Sequence, residues 1–215
     1  SKEIKNFPKK FNDKIITIFP LVKENIYGLK QPSENKDGFT LLVVGGSQGA
    51  NIFDKNLKNL IVKISKEKSI KIIQQTHQNN ITDLKNFYTK NNVKNEIFSF
   101  DENFANSIIQ SDICISRAGA STLAELSVLN IPFIAVPLPT SKDNHQYENA
   151  FFYEMKNCCW IVEQNQFEEK IEKVLKDILY DKSNYFKKKE SLKKLNFQNT
   201  WANANQKILK TVNEN

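Results

Sequence analysis

Arginine is almost absent from this chain of 215 residues: Arg117 is its only one. Base-reading proteins rely on the bidentate guanidinium fork, which leaves this chain poorly equipped for that work. An aromatic stacking motif for single-stranded nucleic acid is also missing. Cysteine is scarce, limited to Cys114 and the adjacent Cys158 and Cys159. The number is odd and no spacing suits a metal, so a disulfide framework and a zinc site are excluded. Buried free thiols in a reducing compartment are the expectation. Long apolar runs are lacking too. The longest, Ile131 to Leu138, holds two prolines and is far too short to span a bilayer. No secretory signal opens the sequence, and the reading is a cytoplasmic protein.

Lysine and phenylalanine are plentiful. The formal charge is +7, 40% of residues are hydrophobic, 26% are charged, and there are 15 Phe. That composition supports one sizeable core and argues against disorder. The charge suits an anionic partner, whether nucleic acid, an anionic membrane surface or a phosphorylated ligand. It suits equally a solvated, lysine-rich surface.

Two regions differ in pattern. Residues 1–37 are polar and punctuated by Pro8, Pro20 and Pro32, with one short apolar run, Ile15 to Phe19, that reads as a strand. Lys30 to Gly38 reads as a linker. From residue 38 to 215 short apolar runs alternate with segments of helical period. Strands are expected at Phe39–Val44, Ile70–Ile73, Glu96–Phe100, Ile113–Ser116, Phe133–Val136 and Cys159–Val162. Helices are expected at Asn51–Lys66, Ile81–Asn91, Asn103–Gln110, Thr122–Leu129 and His145–Lys156, with a helical C-terminal stretch broken near Asp181–Asn184 and Asn196–Gln198. Alternation of this kind predicts an α/β fold: a doubly wound, Rossmann-like parallel sheet with helices on both faces. Ligands in such a fold bind outside the carboxyl ends of the strands, which directs attention to three loops.

The first loop is Gly45-Gly46-Ser47-Gln48-Gly49-Ala50. Its glycines permit close approach of a ligand to the backbone, Ser47 offers a hydroxyl, and the helix start suits a diphosphate. It fits equally a tight strand-to-helix turn with no ligand. The second runs from Ser116 through Arg117, Gly119, Ser121 and Thr122 to Glu125. Thr122 and Glu125 can form a capping box. Alternatively, Glu125 accepts the hydroxyls of a ribose, with Arg117 near an acid or a phosphate. The third runs from Pro137 to Gln146. Its amides, Gln146 and Asn149, suit sugar hydroxyls. His145 has no carboxylate placed to orient it and reads as a polar contact more readily than as a base.

Together these loops resemble the MurG family of membrane-associated N-acetylglucosaminyltransferases. The carriers are Leu42 to Ala50, Ser116 to Ala120, Glu125, Gln146-Tyr147 and Asn149-Ala150. The resemblance implies the C-terminal, donor-binding half of a GT-B glycosyltransferase, a hexosyltransferase of peptidoglycan synthesis that inverts the anomeric centre. Its donor is UDP-N-acetylglucosamine, its acceptor a lipid-linked muramyl-pentapeptide, and no essential metal is implied. By the same carry-over Gly46, Ser47 and Gln48 meet the diphosphate, and the backbone of Phe100 and Asp101 reads the uracil. Ala120, Ser121 and Thr122 line the nucleotide, Glu125 holds the ribose, and Gln146, with His145 and Asn149, faces the sugar. Lys23 stands where the family commonly has an arginine near the phosphates. The family's N-terminal domain supplies the acceptor pocket, the membrane-facing patch and the proposed base. Residues 1–37 read as a remnant of that domain plus linker. No catalytic residue is therefore assigned, and the chain alone is expected to be inactive. A donor-binding subunit of a split enzyme with a separate membrane partner is the alternative, and a basic nucleic-acid module the remoter one.

Overall fold

The computed structural model describes residues 8–16, 21–30, 38–101, 103–196 and 201–213. From residue 38 onward each apolar run becomes a strand and each helical period a helix. In chain order the elements are β1 (Phe39–Val44), α1 (Gly46–Ser65), β2 (Ile70–Gln75), α2 (Ile81–Lys90), β3 (Lys94–Phe98), α3 (Phe104–Ile109) and β4 (Ile113–Ser116). There follow α4 (Ala120–Val128), β5 (Phe133–Ala135), α5 (His145–Glu154), β6 (Cys159–Ile161), α6 (Phe167–Tyr180), α7 (Ser183–Asn196) and α8 (Trp201–Asn213). All six strands are parallel, in the order β3-β2-β1-β4-β5-β6. The order reverses between β1 and β4, which register Leu41 against Ile113. Loops leaving that point diverge to opposite faces and open a crevice, the usual ligand position in doubly wound sheets.

Side chains alternate across β1, so one strand feeds two cores. Leu41 and Val43 join Phe53, Leu57 and Ile61 of α1, Tyr88 of α2, and Phe167 and Ile171 of α6. Leu42 and Val44 join Ile108 of α3, Leu123 of α4, Tyr153 of α5, and Leu192 of α7. Each fully buried side chain of this kind contributes about 1.5–3 kcal/mol. Phe53 against Phe167 (5.5 Å) and Phe133 against Tyr153 (5.4 Å) place one aromatic pair in each layer. The three thiols are free and buried, as expected from the sequence. Burial pushes Cys158 up to about 11 and Cys114 higher still.

Several sequence expectations change. Residues Gly46 to Ala50 are not loop: α1 begins at Gly46 rather than Asn51. Lys9–Lys14 forms a 3-10 helix, and Ile15 and Ile16, the described start of the expected Ile15–Phe19 strand, lie outside any strand. Residues 17–19 lie outside the described residues, as do 31–37 of the expected linker and the break at 197–198. Residues 21–30 pack on the main body, since Val22 and Ile26 sit in the second core. The Trp201 indole of α8 donates to the Val22 carbonyl at 2.8 Å.

Candidate functional site

At the carboxyl edge of the sheet, β1 runs into Gly45 and Gly46. Gly46 takes φ +63°, a left-handed value that side chains with a Cβ rarely adopt. The chain thereby turns sharply into α1, whose first amides open outward at the carboxyl edge of the sheet. Side-chain positions of Ser47 and Gln48 lie outside the described residues; their backbone belongs to the first turn of α1. The Gly46 N–H donates to Gln75 Oε1 at 3.0 Å. Gln75 Nε2 in turn donates to the Ser99 carbonyl at 3.1 Å. Sequence reasoning missed Gln75. Its signal was a polar Gln74-Gln75-Thr76 run at the carboxyl end of an apolar strand.

Behind this edge lies a polar network. The Asp54 carboxylate of α1 accepts from Gln74 Nε2 (2.8 Å), Thr76 Oγ1 (2.5 Å) and Asn80 Nδ2 (3.2 Å). Tyr88 Oη donates to Gln74 Oε1 at 3.0 Å. A fully buried Gln74 requires such partners, because an unpaired buried amide costs about 1–3 kcal/mol.

Beyond β3, Phe100 is 78% exposed, so its ring lies in solvent beside the sheet edge. Both Asp101 carboxylate oxygens are occupied, accepting from the Asn103 N–H (2.8 Å) and Ser107 Oγ (2.9 Å). The side chain thus anchors the start of α3.

On the other side of the crevice α4 starts at Ala120 with Gly119 as its N-cap. Thr122 is consequently the third helical residue and Glu125 the sixth. The capping-box alternative is removed, since that motif needs its Ser or Thr at the N-cap. Ala120 and Ser121 are exposed at the helix start, and Glu125 is half-buried one turn further on. Burial raises the Glu125 carboxyl above its ordinary value, and the Lys23 ammonium pulls it part of the way back. The segment carrying Lys23 therefore faces α4.

Arg117 does not serve as expected. It is 8% exposed, and among the described residues its guanidinium is taken up by carbonyls and an amide rather than by an acid. Nη1 donates to the carbonyls of Val136 (3.2 Å) and Pro137 (3.3 Å), and Nη2 to Gln164 Oε1 (2.5 Å). The guanidinium lies over the Phe53 ring at 5.5 Å. It ties together the ends of β4 and β5.

After β5, Asp143 and Asn144 both take left-handed φ (51° and 55°), which brings the chain abruptly into α5. His145 Nδ1 lies 2.7 Å from the Lys142 carbonyl. A carbonyl only accepts, so Nδ1 carries the proton and Nε2 faces outward unprotonated when the ring is neutral. Gln146 Oε1 accepts from two backbone amides, Leu138 (3.0 Å) and Ala118 (3.2 Å). Asn149 Nδ2 donates to the Ala118 carbonyl at 3.0 Å. Residues 146 and 149 share one face of α5, and together they grip both polar atoms of the Ala118 peptide. That grip uses Gln146 Oε1 and not its Nε2.

The edge thus offers two helix starts rich in free amides, one carboxylate, one lysine and an amide donor. Diphosphate binding and ribose recognition are within its means. Among the described residues no three His, Cys, Asp or Glu side chains cluster as metal ligands. No helix among them is long and apolar enough to cross a membrane.

Residues 40–205 match the Glycosyltransferase family 28 C-terminal domain. The UDP-N-acetylglucosamine--N-acetylmuramyl-(pentapeptide) pyrophosphoryl-undecaprenol N-acetylglucosamine transferase of Pelagibacter ubique is 43% identical over the whole chain, which spans 61% of that protein. The same transferase of Rickettsia felis is 36% identical over 81% of this chain and 52% of its own length. Among solved structures, Acinetobacter baumannii MurG superposes on 81% of this chain and 51% of its own with a TM-score of 0.67 and 23% identity. Os79 from O. sativa in complex with UDP matches at a TM-score of 0.61 and 13% identity, over 86% of this chain and 41% of its own. Both show the same fold. The chain spans between half and two thirds of the curated relatives named.

Proposed function

The chain belongs to glycosyltransferase family 28, whose C-terminal domain it carries over residues 40–205, and we propose that it binds the nucleotide-sugar donor, UDP-N-acetylglucosamine. The observation that carries this reading is the crevice between β1 and β4. Two helix N-termini open there, and the half-buried Glu125 stands one turn inside α4 with Lys23 facing it. The named relatives carry N-acetylglucosamine transferase in their names, and the Os79 structure holds UDP.

The diphosphate lies against the start of α1, at Gly46, Ser47 and Gln48; the Gly46 N–H is itself taken by Gln75, so the amides of Ser47 and Gln48 are the ones that reach it. Partial positive charge there stabilises the pyrophosphate as it departs. The backbone at Phe100 and Asp101 reads the uracil, Ala120 to Thr122 line the nucleotide, and Glu125 accepts the ribose hydroxyls. Gln146 Nε2, with His145 and Asn149 at the same end of α5, faces the sugar. Lys23 adds charge near the phosphates without the bidentate geometry of arginine.

In the full reaction a hydroxyl of a lipid-linked muramyl-pentapeptide attacks the anomeric carbon, the carbon–oxygen bond to the diphosphate breaks, and UDP leaves with inversion. The side chains named here serve the donor and leaving group, by hydrogen bonding and helix-terminal charge rather than through a metal ion. We assign none of them to deprotonating the acceptor. The full reaction also requires an acceptor site at the cytoplasmic face of a membrane. Calorimetric titration of the 215-residue chain with UDP-N-acetylglucosamine, UDP and ADP tests the donor reading. The uridine nucleotides should bind at least about tenfold more tightly than ADP, a difference of 1.4 kcal/mol. Equal binding of all three would sink it, and sugar transfer by this chain alone would sink the division of labour.

A further inference from the structure

We propose that Gln75 is a positioning residue that locks the diphosphate-binding start of α1 to the base-reading segment after β3, so that nucleoside and diphosphate are received as one rigid unit. The proposal rests on the donor-binding reading above. β2 lies between β1 and β3, so a side chain at its carboxyl end can reach the loops of both neighbours. Gln75 does so: Oε1 takes the Gly46 N–H at 3.0 Å and Nε2 gives a hydrogen to the Ser99 carbonyl at 3.1 Å. One partner only donates and the other only accepts, so the amide orientation is fixed by chemistry.

Both ends of the bridge need it. Gly46 is the first residue of α1, so its N–H has no partner in the helix ladder, and its left-handed φ gives the turn more freedom than an ordinary residue would. On the other side the Thr76 N–H holds the Phe98 carbonyl at 2.8 Å, and Asp101 anchors α3. Ser99 and Phe100 lie between these two fixed points; the Ser99 hydroxyl donates to Gln78 Oε1 at 2.6 Å, and the Gln75 bond on the Ser99 carbonyl is the tie that reaches across to α1. Uridine and diphosphate are joined through a ribose of fixed length. Two loops that drift independently would lose entropy on binding, whereas a pre-set separation avoids that cost.

The side-chain chemistry is exacting. Leucine offers neither bond. Ionised glutamate accepts from Gly46 but turns a second oxygen on the Ser99 carbonyl and adds negative charge beside the diphosphate. Protonated glutamate restores the pattern, with one oxygen accepting and the other donating its hydrogen.

The test measures UDP affinity of the full chain by calorimetry from pH 7.5 to 4.5, in wild type, Gln75→Leu and Gln75→Glu. Near-ultraviolet circular dichroism verifies the fold of each. Gln75→Leu should bind UDP about tenfold more weakly throughout, the usual order for losing two hydrogen bonds that organise a site. Gln75→Glu should be at least as weak at pH 7.5 and return to within about twofold of wild type as its carboxyl protonates. Asp54 on α1, Asp101 before α3, His77 after β2 and the ligand phosphate are the other ionisable groups nearby, and all are present in wild type, whose profile accounts for them. A Gln75→Glu profile parallel to wild type would mean that the bridge is merely structural, and would overturn the proposal. Leucine binding UDP as tightly as wild type, or more tightly, overturns it too, while the donor reading stands. Wild type without preference for UDP over ADP overturns both.

Discussion

Glu125 carries opposing demands. Its carboxyl is half-buried and accepts no hydrogen bond from the described residues, and burial holds its proton more firmly than usual despite the facing Lys23. A carboxyl with a raised folded value stabilises the chain below the ordinary glutamate range. That contribution is lost as pH rises through the raised value, because the unfolded chain releases the proton first. At neutral pH the ionised group is thus tolerated at a net cost, which the Lys23 ammonium offsets in part. Glu125→Gln removes the charge and keeps the shape. It should leave thermal stability at pH 7 unchanged or higher, and flatten the decline in stability above about pH 4.5, the ordinary glutamate value. It should also weaken UDP binding by about 10–100-fold, since a hydrogen bond to a charged acceptor contributes about 1.5–3 kcal/mol. Melting curves from pH 4 to 7, set beside UDP titrations, check both halves. A variant that loses stability and keeps its affinity would make Glu125 a structural residue. The residue scale also shows the limit of reading a chain without coordinates. Arg117 stood in a suggestive loop, but its partners Val136, Pro137 and Gln164 lie 19 to 47 positions away, and only folding brings them near.

At the level of elements, α5 acts as a clamp on the α4 start. Gln146 and Asn149 come one turn apart on one helix face, and between them hold the Ala118 N–H and carbonyl. Gln146 also holds the Leu138 N–H. The α4 start can therefore be no better placed than α5 allows, which gives these amides a structural role independent of any ligand. Gln146→Leu preserves bulk and removes the acceptor from two half-buried amides. It should destabilise the chain by about 1–2 kcal/mol in urea. Amide hydrogen exchange at Ala118 and Leu138 should accelerate by roughly fivefold or more, while exchange in β1 and β2 slows or quickens only with global stability. Unchanged exchange at Ala118 would dissolve the clamp. Most element boundaries were legible, because strands such as Phe39–Val44 and Ile113–Ser116 are apolar runs bounded by polar or glycine residues. The start of α1 was not. Three glycines in Gly45 to Gly49 read locally as loop, whereas the first amide of that helix is satisfied from β2, 29 positions away. The start of α4 was misread for a related reason. Thr122 and Glu125 have capping-box spacing, but Gly119 takes the N-cap and draws the helix two residues earlier.

For the whole molecule, alternation of strands and helices predicted a parallel sheet, but the strand order and its switch point follow from pairing and appear in no local pattern. The three loops were individually ambiguous. Their convergence on one sheet edge supports a single site, and that convergence has a thermodynamic consequence. A ligand gripping only the α1 start would stabilise the chain through its phosphates, and UDP and ADP would act alike. A ligand held at once by α1, α4 and the segment after β3 binds more tightly, and its larger binding free energy opposes global unfolding. At a concentration one hundredfold above its dissociation constant such a ligand adds about 2.7 kcal/mol. For a domain near this size each kcal/mol raises the melting midpoint by about 2–4 °C, which places the expected shift with UDP at about 5–10 °C. ADP at the same concentration, lacking the match to the segment after β3, should give about half of that or less. Differential scanning calorimetry with UDP, ADP and inorganic pyrophosphate resolves the contributions. Equal shifts from all three would reduce the site to a phosphate pocket at the α1 start, whereas a shift with UDP well above that with pyrophosphate requires β3, β1 and β4 to bind through one crevice.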